Sequence, residues 1–467
     1  MNVVLYVMND LRHDSRVIRE ARALAAAGHR VTVMTTTPAS PLPEGQLASA
    51  EPFDTIAVAI PRRWPLWYVW LKHPWRVAGR AWAEARSVRR QPDRAGHAVA
   101  YTALSIASIP WMLTRAAWDV VTRVLLRRPA RPGVLDYLLR WRVFTLGWTR
   151  LAAARAPRAD VHHANDMDTL PAALAAAERD GAAVVYDSHE IFLESGAHGR
   201  QPRWIRWLMR RWERRMAGRT AALITINDVC AAELGRRLRP RRVVVVHSCS
   251  PRWDPPSFAE DRIRRATGIA ADAPVVLCHG GFGAGRGIEE TAAAMRSPSL
   301  AGAHLVLLGR PTPAVDAVLR TFPDRDRVHV LPPVPPDDVV AWVAGADVDV
   351  MTLLPVGLNH VVSTPNKLFE SIAAGVPVVS SDFPARRAIV LGDPAGPLGE
   401  LCDPTDPSAI AAAIARLLAL DPEARADLRR RILAAAHERW NWETESAKLV
   451  DLYTSLEGDR PAAFAAP

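Results

Sequence analysis

Short apolar runs of four to seven residues alternate with helical periods along most of this chain, and they do so in two separate series. The opening VVLYV leads through a polar turn into RVIREARALAAAGHRVTVM. There Val17, Ile18, Ala21, Leu24 and Ala25 recur at helical spacing before Gly28 ends the helix. Strand, loop, helix and strand make a βαβ unit, and RADVHHAND, LPAALAAAERDGAAVVYDSHE, AALITIN and VVVVHS extend it to about residue 248. After the Pro-rich SPRWDPPS, the runs PVVLCHGG, HLVLLGR, VHVLPP, VDVMTLL and VPVVSSD alternate with helical segments in a second series. The pattern predicts an α/β protein of two domains, 1–248 and 272–440, with a linker at 249–271 and a last helix at 441–455. With 467 residues, 49% of them apolar, the chain can fill more than one core.

Charge is distributed unevenly. Of the net +10, residues 61–150 carry more than all: 17 Lys plus Arg against 4 Asp plus Glu, leaving the remainder slightly acidic. The same stretch holds 9 of the 16 tryptophans and lacks the βαβ pattern, which predicts a helical, Trp- and Arg-rich insertion in the first domain. Indole rings and cations together suit a lipid headgroup layer, so an anionic membrane surface is the expected partner of 61–150. A helical cap with buried tryptophans is the alternative. The uncharged run 98–114 is broken by Pro110 and falls short of a membrane span. A second basic helix, RWIRWLMRRWERRM, places Trp204, Leu208, Trp212 and Met216 four apart, which reads as a core-facing stripe ringed by arginines. Nothing resembles a nucleic-acid recognition motif. Four scattered cysteines without a CxxC pair argue against structural zinc or a disulfide framework. Charged residues arrive too early for a signal peptide, so the expected location is the cytoplasm, with peripheral attachment at the inner membrane face as an extension.

Two strings carry chemistry. In STPNKLFESIAAGVPVVSSD a polar loop enters a helix and then a strand. Ser363, Thr364, Pro365 and Asn366 open the helix, whose free amides suit phosphate oxygens; Lys367 adds charge, and Glu370 offers an acceptor for ribose hydroxyls. In HGGFGAGRGIEE, Gly281, Gly283 and Gly287 allow close backbone approach to a pyrophosphate, and Arg286 can meet charge growing on a leaving phosphate. Two DxD pairs, Asp166 with Asp168 and Asp347 with Asp349, imitate metal ligands. The second flanks a strand start and Asp168 reads as a cap for the helix after Thr169, so no metal is expected for the chemistry.

The first string closely resembles the retaining glycosyltransferase family 4 of GT-B fold, in the branch whose donor helix reads PNKLFE before AAGVPVV. The resemblance covers both domains, about residues 1–60 and 151–453. It implies two Rossmann-like domains facing a cleft, a nucleoside-diphosphate sugar as donor substrate, and no tightly bound cofactor. It also implies a last helix that returns to the first domain. Glu370 matches the second of two family glutamates, the one that holds the ribose. The first falls at Val362, so that sugar contact is either missing or replaced by neighbours such as Asn359, His360 or Ser363. Arg286 and Gly287 match a basic residue followed by glycine. His189 matches a histidine facing the reacting sugar, and Asp166 an acidic strand end on the acceptor side. Asn9, Arg12, His13, Asp14 and Arg16 occupy the early loop, where acceptor or phosphate contacts are expected.

The expected function is transfer of a sugar to an acceptor hydroxyl with retention. The expected setting is polysaccharide, glycolipid or glycosylated natural-product biosynthesis, with a lipid-linked acceptor suggested by the insertion. A nucleotide-sugar epimerase, or a non-catalytic membrane-associated partner of another transferase, remains the alternative.

Overall fold

The computed structural model describes residues 1–11, 14–37, 51–60, 134–255 and 261–458, together with scattered positions between 82 and 114. Two all-parallel sheets dominate it. The first contains β1 (Asn2–Tyr6), β2 (Arg30–Thr36), β3 (Asp54–Val58), β4 (Val161–Asn165), β5 (Ala183–Asp187), β6 (Ala222–Thr225) and β7 (Val243–Val245), in the order 3-2-1-4-5-6-7. The second contains β8 (Val275–His279), β9 (His304–Leu308), β10 (Val328–Leu331), β11 (Val348–Met351), β12 (Val378–Ser381) and β13 (Gly399–Cys402), in the order 10-9-8-11-12-13. Each order reverses direction beside the first strand of its series, at β1/β4 and β8/β11, the switch point where a doubly wound sheet opens a crevice. This is the Rossmann-like pair expected from the two strand series.

Central strands are covered on both faces, so they are mostly apolar: β8 is buried at all five positions, four of them apolar. The edge strands β3 and β13, DTIAV and GELC, escaped the sequence reading. Both are only partly buried, and neither offers a long apolar run. In the first domain Val3, Leu5, Leu24, Val33 and Val185 share a core with Trp442, Leu449, Leu452 and Tyr453 of the final helix, Trp442–Gly458. The phenol of Tyr453 reaches His163 Nδ1 at 2.8 Å, and that of Tyr6 reaches His162 Nδ1 at the same distance. Both histidines of VHHAND are therefore core groups: His162 also meets Asp180 through Nε2 at 3.1 Å, whereas His163 Nε2 has no hydrogen-bond partner among the described residues. Burial holds them below the ordinary histidine range, His163 at about 4.

Residues Ala59–Leu151 form a separate compact unit. Most of its tryptophans, including those of WPLWYVWLKHPW, lie outside the described residues. Of the described ones, Trp141 and Trp148 are buried and Trp82 is exposed. The described positions between 99 and 114, among them Val99, Ile106, Ile109 and Leu113, are all exposed. No helix of the described residues is long and apolar enough to cross a membrane.

One helix is turned differently from the expectation. In Arg203–Ala217 the inward row is Ile205, Met209, Glu213, Met216 and Ala217, while Trp204 and Leu208 are 57% and 48% exposed. The buried Glu213 accepts from the Tyr186 phenol at 2.8 Å. That bond, together with the packing of Ile205 and Met209, rotates the tryptophan stripe outward.

Candidate active site

Loops at the carboxyl ends of both sheets border one cavity of about 1370 Å³. On the second-domain side, the turn after β8 passes Gly280, Gly285 and Gly287 at φ 92°, 77° and 72° before the helix Ile288–Ala294. These left-handed values admit glycine and little else. Gly287 is further confined, because a Cβ there would lie 1.9 Å from the Thr352 carbonyl oxygen. Gly281 and Gly283 lack this conformation, and a Cβ at either meets nothing within 4 Å. The strained glycines of the loop are therefore Gly280, Gly285 and Gly287. Of the glycines singled out by sequence, only Gly287 is required sterically.

Gly283 and Arg286 line the cavity, as do Ser363, Thr364, Pro365 and Asn366 at the start of the helix Asn366–Ala374. The Arg286 and Lys367 side chains form no hydrogen bond or ion pair with a described residue. Burial holds both below their ordinary values. For Arg286 Glu190 opposes the shift; for Lys367 Asp349 opposes it most, Arg286 adds to it, and Glu370 opposes it more weakly. Desolvated cations without partners favour an anion. Lys367 lies behind the wall, beneath the glycine turn; a Cβ on Gly280 would sit 3.7 Å from its Cε.

Glu370 does not line the cavity but accepts from His279, Nε2 to Oε2 at 2.9 Å. The other ring nitrogen of His279 meets Asp349 at 3.1 Å, and Ser371 donates to the second Asp349 oxygen at 2.7 Å. Burial opposes charge on His279, yet Asp349 and Glu370 outweigh it and raise the ring to about 9. His279 was missed because a histidine ending an apolar strand is indistinguishable from a core residue until its partners are seen. Asp349 is thereby committed within the domain, and Asp347 accepts from Val275 N and Arg264.

The first domain contributes His189, which lines the cavity and pairs with Asp166, Nε2 to Oδ2 at 2.9 Å. Burial would lower this histidine, but Asp166 dominates and raises it to about 10. Its Nδ1 has no partner among the described residues. Asp166, at φ 62°, stands behind His189 rather than on the cavity wall. Asp168 does not cap the following helix. The cap position is Thr169, whose hydroxyl donates to the Asn165 carbonyl at 2.6 Å. Burial and Asp166 instead push the Asp168 carboxyl up to about 8.

The early loop is mixed. Asn9 and Asp14 line the cavity, but Asp14 caps the first helix, Ser15–Ala26, through Val17 N and accepts from Asn9 at 2.8 Å. Arg16 is not a free contact residue. Its guanidinium is buried, with Asp187 accepting at 2.7 and 3.1 Å and Ser248 and the Val246 carbonyl at 3.0 Å. Arg12 and His13 lie outside the described residues. Glu20, His163 and Asp187 offer atoms within 4.8 Å of one another, as metal ligands would, but Arg16 already lies against Glu20 and Asp187.

Glu190 is the second group the sequence reading overlooked. Ser195 donates to one of its oxygens at 2.6 Å and Asn359 to the other at 3.1 Å, while Asn359 Oδ1 accepts from Ile191 N at 3.0 Å. Asn359 belongs to the second domain, so this is a bond across the cleft. Asn227 makes two more, to the Val362 carbonyl at 2.9 Å and to Thr364 Oγ1 at 3.2 Å. Val362 itself is buried. Nearby, Arg386 donates to the His360 and Ser363 carbonyls and braces the loop before Asn366.

Both halves of the chain match known families. The family described as Glycosyl transferases group 1 matches residues 273–420, and Glycosyltransferase Family 4 matches residues 114–249. A D-inositol 3-phosphate glycosyltransferase of Xylanimonas cellulosilytica is 31% identical over 216 residues, 44% of this chain and 48% of that protein. The match thus spans about half the length of this curated relative. Sucrose-phosphate synthase from Thermosynechococcus elongatus has a TM-score of 0.66 at 16% identity, covering 98% of this chain and 100% of that one. Anabaena HepE in complex with UDP and glucose has a TM-score of 0.62 at 14% identity, covering 97% and 100%. At such identities the likeness is one of fold. The paired Rossmann-like sheets are those of the GT-B fold, and each half of the chain matches a glycosyltransferase family model.

Proposed function

We propose that the chain transfers a sugar from a nucleoside-diphosphate donor to an acceptor hydroxyl with retention of anomeric configuration. The observation that carries this is the pair of unpartnered cations, Arg286 and Lys367, beside a glycine turn and the start of the helix Asn366–Ala374. That arrangement suits a diphosphate, and Glu370 keeps one oxygen clear of His279 for a ribose hydroxyl. As the bond to the sugar breaks, negative charge grows on the departing phosphate; Arg286 and the loop amides meet it, and Lys367 adds positive charge from beneath the glycine turn. His189, held as an imidazolium by Asp166, faces the sugar. The phosphate of the donor receives the acceptor proton, so no protein base is needed. Glu190, bonded across the cleft by Asn359, supplies the sugar-side carboxylate that position 362 lacks. The HepE complex with UDP and glucose makes uridine the first base to try. The exposure of Val99, Ile106, Ile109 and Leu113 supports a membrane-proximal, lipid-linked acceptor in polysaccharide or glycolipid assembly.

The test is a thermal-shift screen against UDP, GDP, ADP and their sugar conjugates. A ligand at about 100 times its Kd should add roughly 2.7 kcal/mol of apparent stability. The expected result is a shift with one base that Glu370→Ala abolishes. No shift with any nucleotide would favour the non-catalytic partner.

A further inference from the structure

The helix Arg203–Ala217 presents a face that the transfer reaction does not use. Around its axis the outward arc reads Arg203, Arg214, Trp207, Arg211, Trp204, Arg215 and Leu208, all exposed. Arginine alternates with large apolar side chains, and no acidic residue falls on this arc. The one acidic residue of the helix, Glu213, is buried against Tyr186. Two of its arginines, Arg206 and Arg210, are partly neutralised by Glu194 at 2.6 and 3.8 Å. The four on the arc have no carboxylate within ion-pair distance among the described residues, and Arg211 lies over the Trp207 ring at 5.0 Å.

We propose that this face docks on an anionic lipid bilayer, with Trp204, Trp207 and Leu208 entering the headgroup layer and Arg203, Arg211, Arg214 and Arg215 meeting lipid phosphates. A purely solvating face has no use for two half-exposed indoles, whereas an interfacial helix combines an apolar row with cations. A second copy of the chain is a poorer occupant, because a two-fold contact would set four arginines against four. Glu194 and Arg206 border both the groove beside Trp204 and the catalytic cavity. A bilayer held on this helix therefore lies next to the cavity mouth. The proposal does not depend on the transfer chemistry, since none of these arc residues lines the cavity, and it adds a surface in the first domain to the one read from residues 61–150.

Flotation of the full chain with vesicles of phosphatidylcholine alone, or with about one third phosphatidylglycerol, tests it. The expected result is binding to the anionic vesicles only, weakened by salt. Trp204→Ser, Trp207→Ser and Leu208→Ser combined should reduce binding at least tenfold with an unchanged Tm. Each of Arg211→Gln and Arg215→Gln should cost about fivefold. Should the triple variant lose stability, Trp207→Cys carrying an environment-sensitive dye replaces it; a blue shift on anionic vesicles supports docking. No vesicle binding, binding that these variants leave unaltered, or a dye that does not respond would overturn the proposal. So would equal binding to duplex DNA that the serine variants retain, since that would show a polyanion site.

Discussion

His279 separates two carboxylates that would otherwise face each other, Asp349 and Glu370, and its raised value ties local stability to pH. The ring titrates at about 9 in the folded chain against 6.5 when unperturbed. Its contribution is therefore complete below about pH 6.5 and is lost as pH rises through 9. Wild-type Tm should fall across that window more steeply than that of His279→Gln, which has no proton to lose. At neutral pH His279→Ala should destabilise by on the order of 3 kcal/mol, measured by denaturant unfolding, because it leaves a buried carboxylate without its partner. Arg286 works on the ligand instead. Arg286→Ala should lower nucleotide release from the donor by about 100-fold with little change in Tm, and Arg286→Lys should restore part of it. If the alanine variant keeps full activity, Arg286 does not meet the leaving phosphate.

At the scale of elements, the glycine turn and the helix Asn366–Ala374 make one cradle because β8 and β11 are adjacent strands. Gly287 fixes how closely the turn approaches the loop after β11. Gly287→Ala would drive a methyl into the Thr352 carbonyl at φ 72°, so the loop must move. The expected outcome is a loss of more than about 1 kcal/mol of stability. The nucleotide-induced thermal shift should disappear with it. Gly283→Ala, with open space and no positive φ, should leave both measurements near wild type. Equal behaviour of the two variants would remove the turn from the donor site.

For the whole molecule, the final helix matters as much as the cleft. Leu449, Leu452 and Tyr453 are fully buried in the core of the first domain, far in sequence from Val3 and Leu24 beside them. A chain ending at residue 441 would lose all three, and losses of roughly 2–5 kcal/mol per large core side chain exceed the stability of most domains. It should be insoluble or molten by near-ultraviolet circular dichroism. A folded, cooperative truncated protein would show that the helix is dispensable.

The α/β class and the two series of strands are determined by the sequence alone, because a strand covered on both faces is mostly apolar, as VVLCH and HLVLL are apart from one terminal histidine each. The existence of the glycine turn and of the helix in PNKLFE is equally legible, since helix-end chemistry is local, but which glycines need a left-handed backbone was not: Gly280 and Gly285, rather than Gly281 and Gly283, take it beside Gly287. Edge strands DTIAV and GELC were not, because solvent on one side removes the apolar signal. Tertiary structure alone decided which face of Arg203–Ala217 points inward, since its apolar residues suit more than one stripe and the Tyr186–Glu213 bond selects one. It also decided that Arg16 is buried against Asp187 while Arg286 is left without a partner. Both are arginines in polar loops or at helix starts, and only the positions of distant carboxylates distinguish them. The roles of His279 and Glu190 arise in the same way, from partners 70 and 169 residues away in sequence, at separations over which a linear pattern carries no information about contact.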